Sequence, residues 1–287
     1  MARVNVDTLS TVTGRMDPTR HKIRADTNET SIPLAPAFIP SYPPSPTPTP
    51  LDLSISYALS DSCLMYLGTL LSSAEFLTCL PFSLLLTSSS SYSSMLSDAM
   101  STGNYTYLNA LVGYTHSPQP SGEQCDAYMA GVASALTGKG NCLSDIRMGK
   151  AVALEILVGI GNYALLRKAG GLLDSSGRFC YLDAVADGRP DDLYLWNLPA
   201  GIALPSTSRP TCSACSAQLL NLYTSSLSST PTLNSTIVNS AVQSVNSACG
   251  STFVSYSATS AASPSRRMWN LWPGAVLCGI WSIWTLL

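Results

Sequence analysis

Between residues 233 and 249, the apolar side chains Leu233, Ile237, Val238, Ala241, Val242, Val245 and Ala248 recur at helical spacing, and Asn234, Ser235, Asn239, Gln243 and Asn246 fill the opposite positions. This is the pattern of one buried face in a 3.6-residue turn, with Gly250 placed to end the helix. The same spacing predicts helices over Ser62–Leu71, Glu75–Leu86, Glu123–Leu136, Gly149–Arg167 and Cys212–Leu227. The segment Ser175–Val185 differs, because a glycine turn leads into aromatic and β-branched residues, the signature of a short hairpin. The fold expected for residues 61–254 is therefore mainly α: a helical domain with one small irregular or β-hairpin element.

Both flanks lack this periodicity. Residues 1–60 form a Pro/Ser/Thr-rich arm, and the prolines of PLAPAFIPSYPPSPTPTP (33–50) impose extended backbone while removing helix donors. The expectation is a disordered linker or stalk with Ser and Thr as O-glycan acceptors. Docking of an SH3-type partner on these prolines is the competing reading, and it requires a cytosolic location. At the other end, residues 268–287 (MWNLWPGAVLCGIWSIWTLL) carry no charge and match the roughly 20 residues needed to span a bilayer core. A Ser-rich spacer, 255–267, precedes them and ends in Arg266 and Arg267. Small residues, a short polar spacer and a terminal apolar tail make up a GPI-attachment signal, with Ser257, Ala258, Ser260 and Ala261 as candidate attachment residues. The alternative is a tail anchor or single span with the two arginines on the cytosolic side.

Composition sharpens this picture. Only 11% of residues are charged, against about 25% in an ordinary domain, so solubility must rest largely on Ser, Thr and Asn, to which attached sugars would add. A net charge of -2 gives no electrostatic footprint for nucleic acid. Of nine cysteines, Cys278 lies in the tail, leaving the even set Cys63, Cys79, Cys125, Cys142, Cys180, Cys212, Cys215 and Cys249. An even set across one domain suits an oxidising compartment, although the pairing stays open. The sequons at Asn28, Asn104 and Asn234 point the same way. No apolar segment follows Met1 as a secretory leader requires, so the expectation is a true start further upstream; the alternative is a tail-anchored protein with reduced thiols.

Candidate chemistry is sparse. The two histidines are His21 in the arm and His116 in YTHSPQPSG, and without a G-x-S-x-G elbow the latter reads as a solvated loop residue rather than a triad member. Cys212-Ser213-Ala214-Cys215 is a C-x-x-C at a helix start, but neither a βαβ context nor further zinc ligands accompany it. Bridging of each cysteine to a distant partner is the plainer expectation. Gly138-Lys139-Gly140 lacks the spacing of a phosphate loop. Asp183, Asp187, Asp191 and Asp192 have the types needed for a metal or a glycosidase carboxylate pair, whereas Asp191 or Asp192 after Pro190 also suits a helix N-cap. No catalytic residue, cofactor or metal is assigned.

SCLMYLGTLLSSAEFLTCLPFSLLL (62–86), FCYLDAV (179–185), YLWNLPAGIALP (194–205), RPTCSACSAQLL (209–220) and SACGSTFV (247–254) together resemble an uncharacterised fungal family. Its members carry a cysteine-containing domain of unknown function and commonly end in a GPI-type tail. The resemblance covers roughly residues 61–254 and implies a secreted or surface-anchored fungal protein, with no activity attached. The expected role is a non-catalytic GPI-anchored surface or wall glycoprotein serving in structure, adhesion or small-ligand binding. Its partners would be the membrane, through the GPI lipid or a C-terminal helix, and cell-wall glycans. The alternatives are a surface enzyme acting on wall glycans and a tail-anchored membrane protein.

Overall fold

Serine opens most of the longer helices of this chain. In the computed structural model, which describes residues 32–52, 59–187 and 190–255, the hydroxyl of Ser60 accepts from Cys63 N, Ser73 from Phe76 N, Ser89 from Tyr92 N, Ser121 from Gln124 N and Ser213 from Ser216 N. Asn234 does the same for Thr236 and Ile237. Each cap satisfies a backbone donor that the first helical turn leaves unpaired. The result, among the described residues, is thirteen α-helices: α1 (Asp61–Leu71), α2 (Ala74–Cys79), α3 (Phe82–Ser88), α4 (Ser90–Thr102), α5 (Thr106–His116), α6 (Gly122–Leu136), α7 (Leu143–Arg147), α8 (Ala151–Gly161), α9 (Tyr163–Gly170), α10 (Cys180–Ala186), α11 (Pro190–Trp196), α12 (Ala214–Ser226) and α13 (Ser235–Cys249). A mainly helical domain is what the periodicity predicts, and its disulfide bracing is what the even set of eight cysteines predicts.

The structure departs from the periodicity in identifiable places. The helix expected over Glu75–Leu86 is two helices, because Leu80 takes a left-handed conformation (φ 35°) and Pro81 has no donor to continue the ladder. Gly149–Arg167 is likewise divided at Asn162, whose buried side chain donates to Val158 O and Pro199 O and accepts from Thr232 Oγ1. The expected hairpin at Ser175–Val185 shrinks to a turn at Gly177 closed by one antiparallel bridge, Leu173 to Phe179. The chain then runs directly into α10, with Cys180, Tyr181, Leu182, Ala184 and Val185 all buried. Burial on nearly every side selects apolar and aromatic residues in a helix as readily as in a strand, which is why composition misleads here.

Two apolar clusters hold these helices together. One gathers Leu67, Phe76, Met129, Leu136 and Ile156 from α1, α2, α6 and α8. The other is centred on rings: Phe82 meets Tyr181 edge-on at 5.1 Å, and Tyr181 meets Trp196 at 5.0 Å. Such edge contacts add roughly 0.5–1.5 kcal/mol each beyond burial. Helix α3 feeds both clusters, sending Leu84 to the first and Phe82 and Leu85 to the second. α8 packs on α3 and α6, and α9 packs on α3 and α5.

Four disulfides staple the domain: Cys63–Cys142, Cys79–Cys125, Cys180–Cys215 and Cys212–Cys249. Each contributes on the order of 2–4 kcal/mol, chiefly by restricting the unfolded chain. Over residues 32–52 the proline-rich segment lies against the domain. Asn109 Nδ2 donates to Leu34 O, Ala35 N to Gly177 O, Thr49 N to Ser91 Oγ and Asp52 N to Ser88 O, and Leu51 is buried. Asn28, the candidate attachment residues Ser257, Ala258, Ser260 and Ala261, and the 268–287 tail lie outside the described residues.

Candidate functional site

The turn before α10 is built on one carboxylate. Asp174 Oδ1 accepts from Ser176 N and Arg178 N at 2.8 Å each, while Asp174 Oδ2 takes Arg178 NH2 at 2.8 Å and Nε at 3.0 Å. Gly177 supplies the positive φ (86°) that closes this loop without a side-chain clash. The same guanidinium reaches Asp183 on α10, Nε to Oδ1 at 3.5 Å. The Cys180–Cys215 bridge ties α10 to α12, and between them, floored by Leu195, Trp196 and Leu219, lies a cavity of about 390 Å³ with Asp174, Asp183, Asp187 and Asp192 on its walls.

The structure thus brings together three of the four carboxylates singled out in sequence, adds Asp174, and gives most of them structural work. Asp191 accepts from Ser208 Oγ (2.8 Å) and Arg209 N (2.7 Å), and Asp192 from Thr211 N (2.7 Å) and Thr211 Oγ1 (2.6 Å). These bonds pin the 208–211 loop across the first turn of α11, in place of the expected N-cap. Partial desolvation pushes Asp174 up, but the hydrogen bonds from Arg178 and Ser176 outweigh it and hold its carboxyl well below the usual carboxylate range. For Asp183 the balance is reversed: burial, reinforced by the nearby Asp174 charge, overcomes Arg178 and raises it to about 6. No group of three or more His, Cys, Asp or Glu with metal-ligand geometry occurs among the described residues.

The remaining candidates find structural settings. His116 is not a solvated loop residue: it is the last residue of α5, half-buried, with Nδ1 3.1 Å from Arg167 O. Its own carbonyl accepts from Arg167 NH1, and Arg167 also grips Asp126 with Nε at 2.8 Å and NH2 at 2.7 Å, tying α9 to α5 and α6. Cys212 and Cys215 do not pair with each other; each bridges to a distant helix. Lys139 sits in the exposed turn between α6 and α7.

Two of the sequons share a geometry. Asn104 Oδ1 accepts from Thr106 N at 3.1 Å and Asn234 Oδ1 from Thr236 N at 3.0 Å. Both asparagines are exposed, and among the described residues neither Nδ2, the atom an N-glycan takes, has a protein partner.

No helix among the described residues is long and apolar enough to cross a membrane. Four disulfides in one domain are typical of extracellular proteins. Comparison with curated proteins and with solved structures finds no match. The profile of a family described as a domain of unknown function (DUF7729) matches residues 46–258, a span that includes all eight bridged cysteines and all thirteen helices. The chain belongs to this DUF7729 family.

Proposed function

We propose that this protein is a non-catalytic module of the fungal cell surface or wall, N-glycosylated and held to the membrane through a GPI lipid in place of its apolar C-terminus, where it serves in structure, adhesion or ligand binding. The observation that carries this reading is the pairing of all eight body cysteines within the domain, which leaves Cys278 of the tail as the one cysteine outside the set. A reducing cytosol does not sustain four such bridges, which weighs against the tail-anchored alternative. The Asx turns at Asn104 and Asn234 add exposed glycan acceptors. Intact mass of the native protein, taken before and after phospholipase and glycosidase treatment, tests the reading. The expected result is four cystines, glycan mass released from Asn104 and Asn234, and a chain ending near Ser257 to Ala261. A native chain that retains Trp284 and carries free thiols overturns it.

One observation favours a second reading, a surface enzyme acting on wall glycans. Asp183, raised to about 6, stands beside Asp174, held low, and carboxyls driven apart in this way are how general acids and bases are divided. Hydrolysis of wall glycans that disappears in Asp183→Asn with the fold intact would establish this reading; inertness of the wild-type protein would end it.

A further inference from the structure

Trp196 lines a second cavity as well as the acidic one. This cavity, about 340 Å³, lies between α3, α8 and the turn carrying Pro199, with Leu154, Val158 and Leu166 among its walls. That volume is at the small end of the range for ligand pockets. Its polar groups are few. Asn162 is fully engaged with Val158, Pro199 and Thr232 and so braces the wall. Glu155 has Ser88 Oγ (2.9 Å) as its one hydrogen-bond donor and no cation within ion-pair distance among the described residues. Ser83, 1% exposed, lines the same cavity, and its hydroxyl oxygen, closed off within the wall, has no partner among the described residues.

A molecule with an apolar body answers the walls, and a donor group answers Glu155. A carboxylate head is refused by Glu155, because two anions would share one half-dry site.

We propose that this cavity binds a small amphiphile with an apolar body and a hydrogen-bond-donating head, a hydroxyl or a protonated amine, with the head towards Glu155. The cavity carries this inference independently of where the protein resides. The test is isothermal titration of the full chain with 1-decanol, decylamine and decanoate. The alcohol and the amine bind, and decanoate is weaker by at least about tenfold, a difference of ~1.4 kcal/mol. Glu155→Gln, on the half-exposed face of α8, brings decanoate to within about threefold of decanol. Val158→Trp, which fills the cavity, weakens the alcohol and the amine by more than about tenfold while the four bridges and the helical circular dichroism persist. Equal affinity of wild type for the three probes, no saturable binding, or full affinity in Val158→Trp each overturns the proposal. If Val158→Trp does not fold, the head-group preference and its loss in Glu155→Gln decide the matter.

Discussion

Asp174 and Asp183 face one guanidinium and respond to it in opposite ways. Asp174 lies within a net of donors that favours its charge; Asp183, three quarters buried, pairs with Arg178 only at 3.5 Å and feels the neighbouring carboxylate. A carboxyl raised to about 6 holds its proton more tightly in the native state than in the unfolded chain, where it titrates near 4. Its contribution is therefore fully present below about pH 4 and is lost as pH rises to about 6. Asp183→Asn, which keeps the shape without the charge, should match wild type in urea unfolding at pH 4 and exceed it at pH 7 by about 1 kcal/mol, an allowance that includes solvent screening. Asp174 works with the other sign, contributing stability above about pH 4 that is lost on acidification, so Asp174→Asn should weaken the fold at pH 7. A weaker Asp183→Asn at pH 7 would mean that the Arg178 ion pair outweighs desolvation.

Between elements, one tight fit is where the end of α9 meets the end of α5. Gly171 has an ordinary φ of -86°, so its lack of a side chain answers a steric demand: a Cβ there would stand 2.1 Å from Cε1 and Nδ1 of the His116 ring. Gly171→Ala should cost about 1–3 kcal/mol in thermal or urea unfolding, because the ring is held by Arg167 O and cannot swing away freely. In a His116→Ala background the same change should cost almost nothing; an undiminished penalty would place the strain elsewhere. Neither residue is legible in this role from sequence, where His116 reads as a loop histidine. α5 itself escapes the periodicity argument because Leu108, Asn109, Leu111, Val112, Gly113, Tyr114 and Thr115 are all buried, leaving no polar face to set a period. α4 escapes for the opposite reason, since serines cover its exposed side and only Tyr92 and Ala99 are fully buried. α13, amphipathic with an Asn cap and a terminal glycine, falls where the pattern puts it. Of the acidic cavity, sequence shows the cluster 183–192 but not Asp174, whose importance comes from a turn that brings Arg178 back onto it. The second cavity leaves no sequence signature at all, because Ser83 and Glu155 lie 72 positions apart.

Across the whole molecule the bridges divide into two sets. Cys63–Cys142 encloses Cys79–Cys125, while Cys180–Cys215 and Cys212–Cys249 interlock, and no bridge crosses the cysteine-free stretch 143–179. Apart from the chain itself, the two stapled sets are therefore joined without a covalent link, through α8 and α9, the Phe82–Tyr181 ring contact, the Tyr92–Tyr181 hydrogen bond and the hydrogen bonds of Asn162 and Arg167. The sets differ in access. Cys63, Cys79, Cys125 and Cys142 are each at most 1% exposed, whereas Cys212 is open to solvent and Cys249 is half-buried at the end of α13. Thiol exchange requires the attacking thiolate to reach a sulfur, so access orders the reduction. Under mild reductant in native buffer, with alkylation and mass mapping, Cys212 and Cys249 should be labelled first. The first two bridges should open only under conditions that unfold the domain. Helix α13 should stay docked in that first product, since Val238, Ala241, Val242 and Val245 remain buried against its neighbours, at a loss of about 2–4 kcal/mol in stability. Early labelling of Cys63 or Cys79 would show instead that α1, α2 and α6 open as a unit while the ring-centred cluster holds. On the surface-anchored reading the exposed bridge has a mechanical meaning: a pull applied beyond Ser255 first meets the Ser255–Asn221 hydrogen bond and buried Val254, and once these yield it loads α13 and the Cys249–Cys212 bridge, which is linked through Cys215–Cys180 to α10.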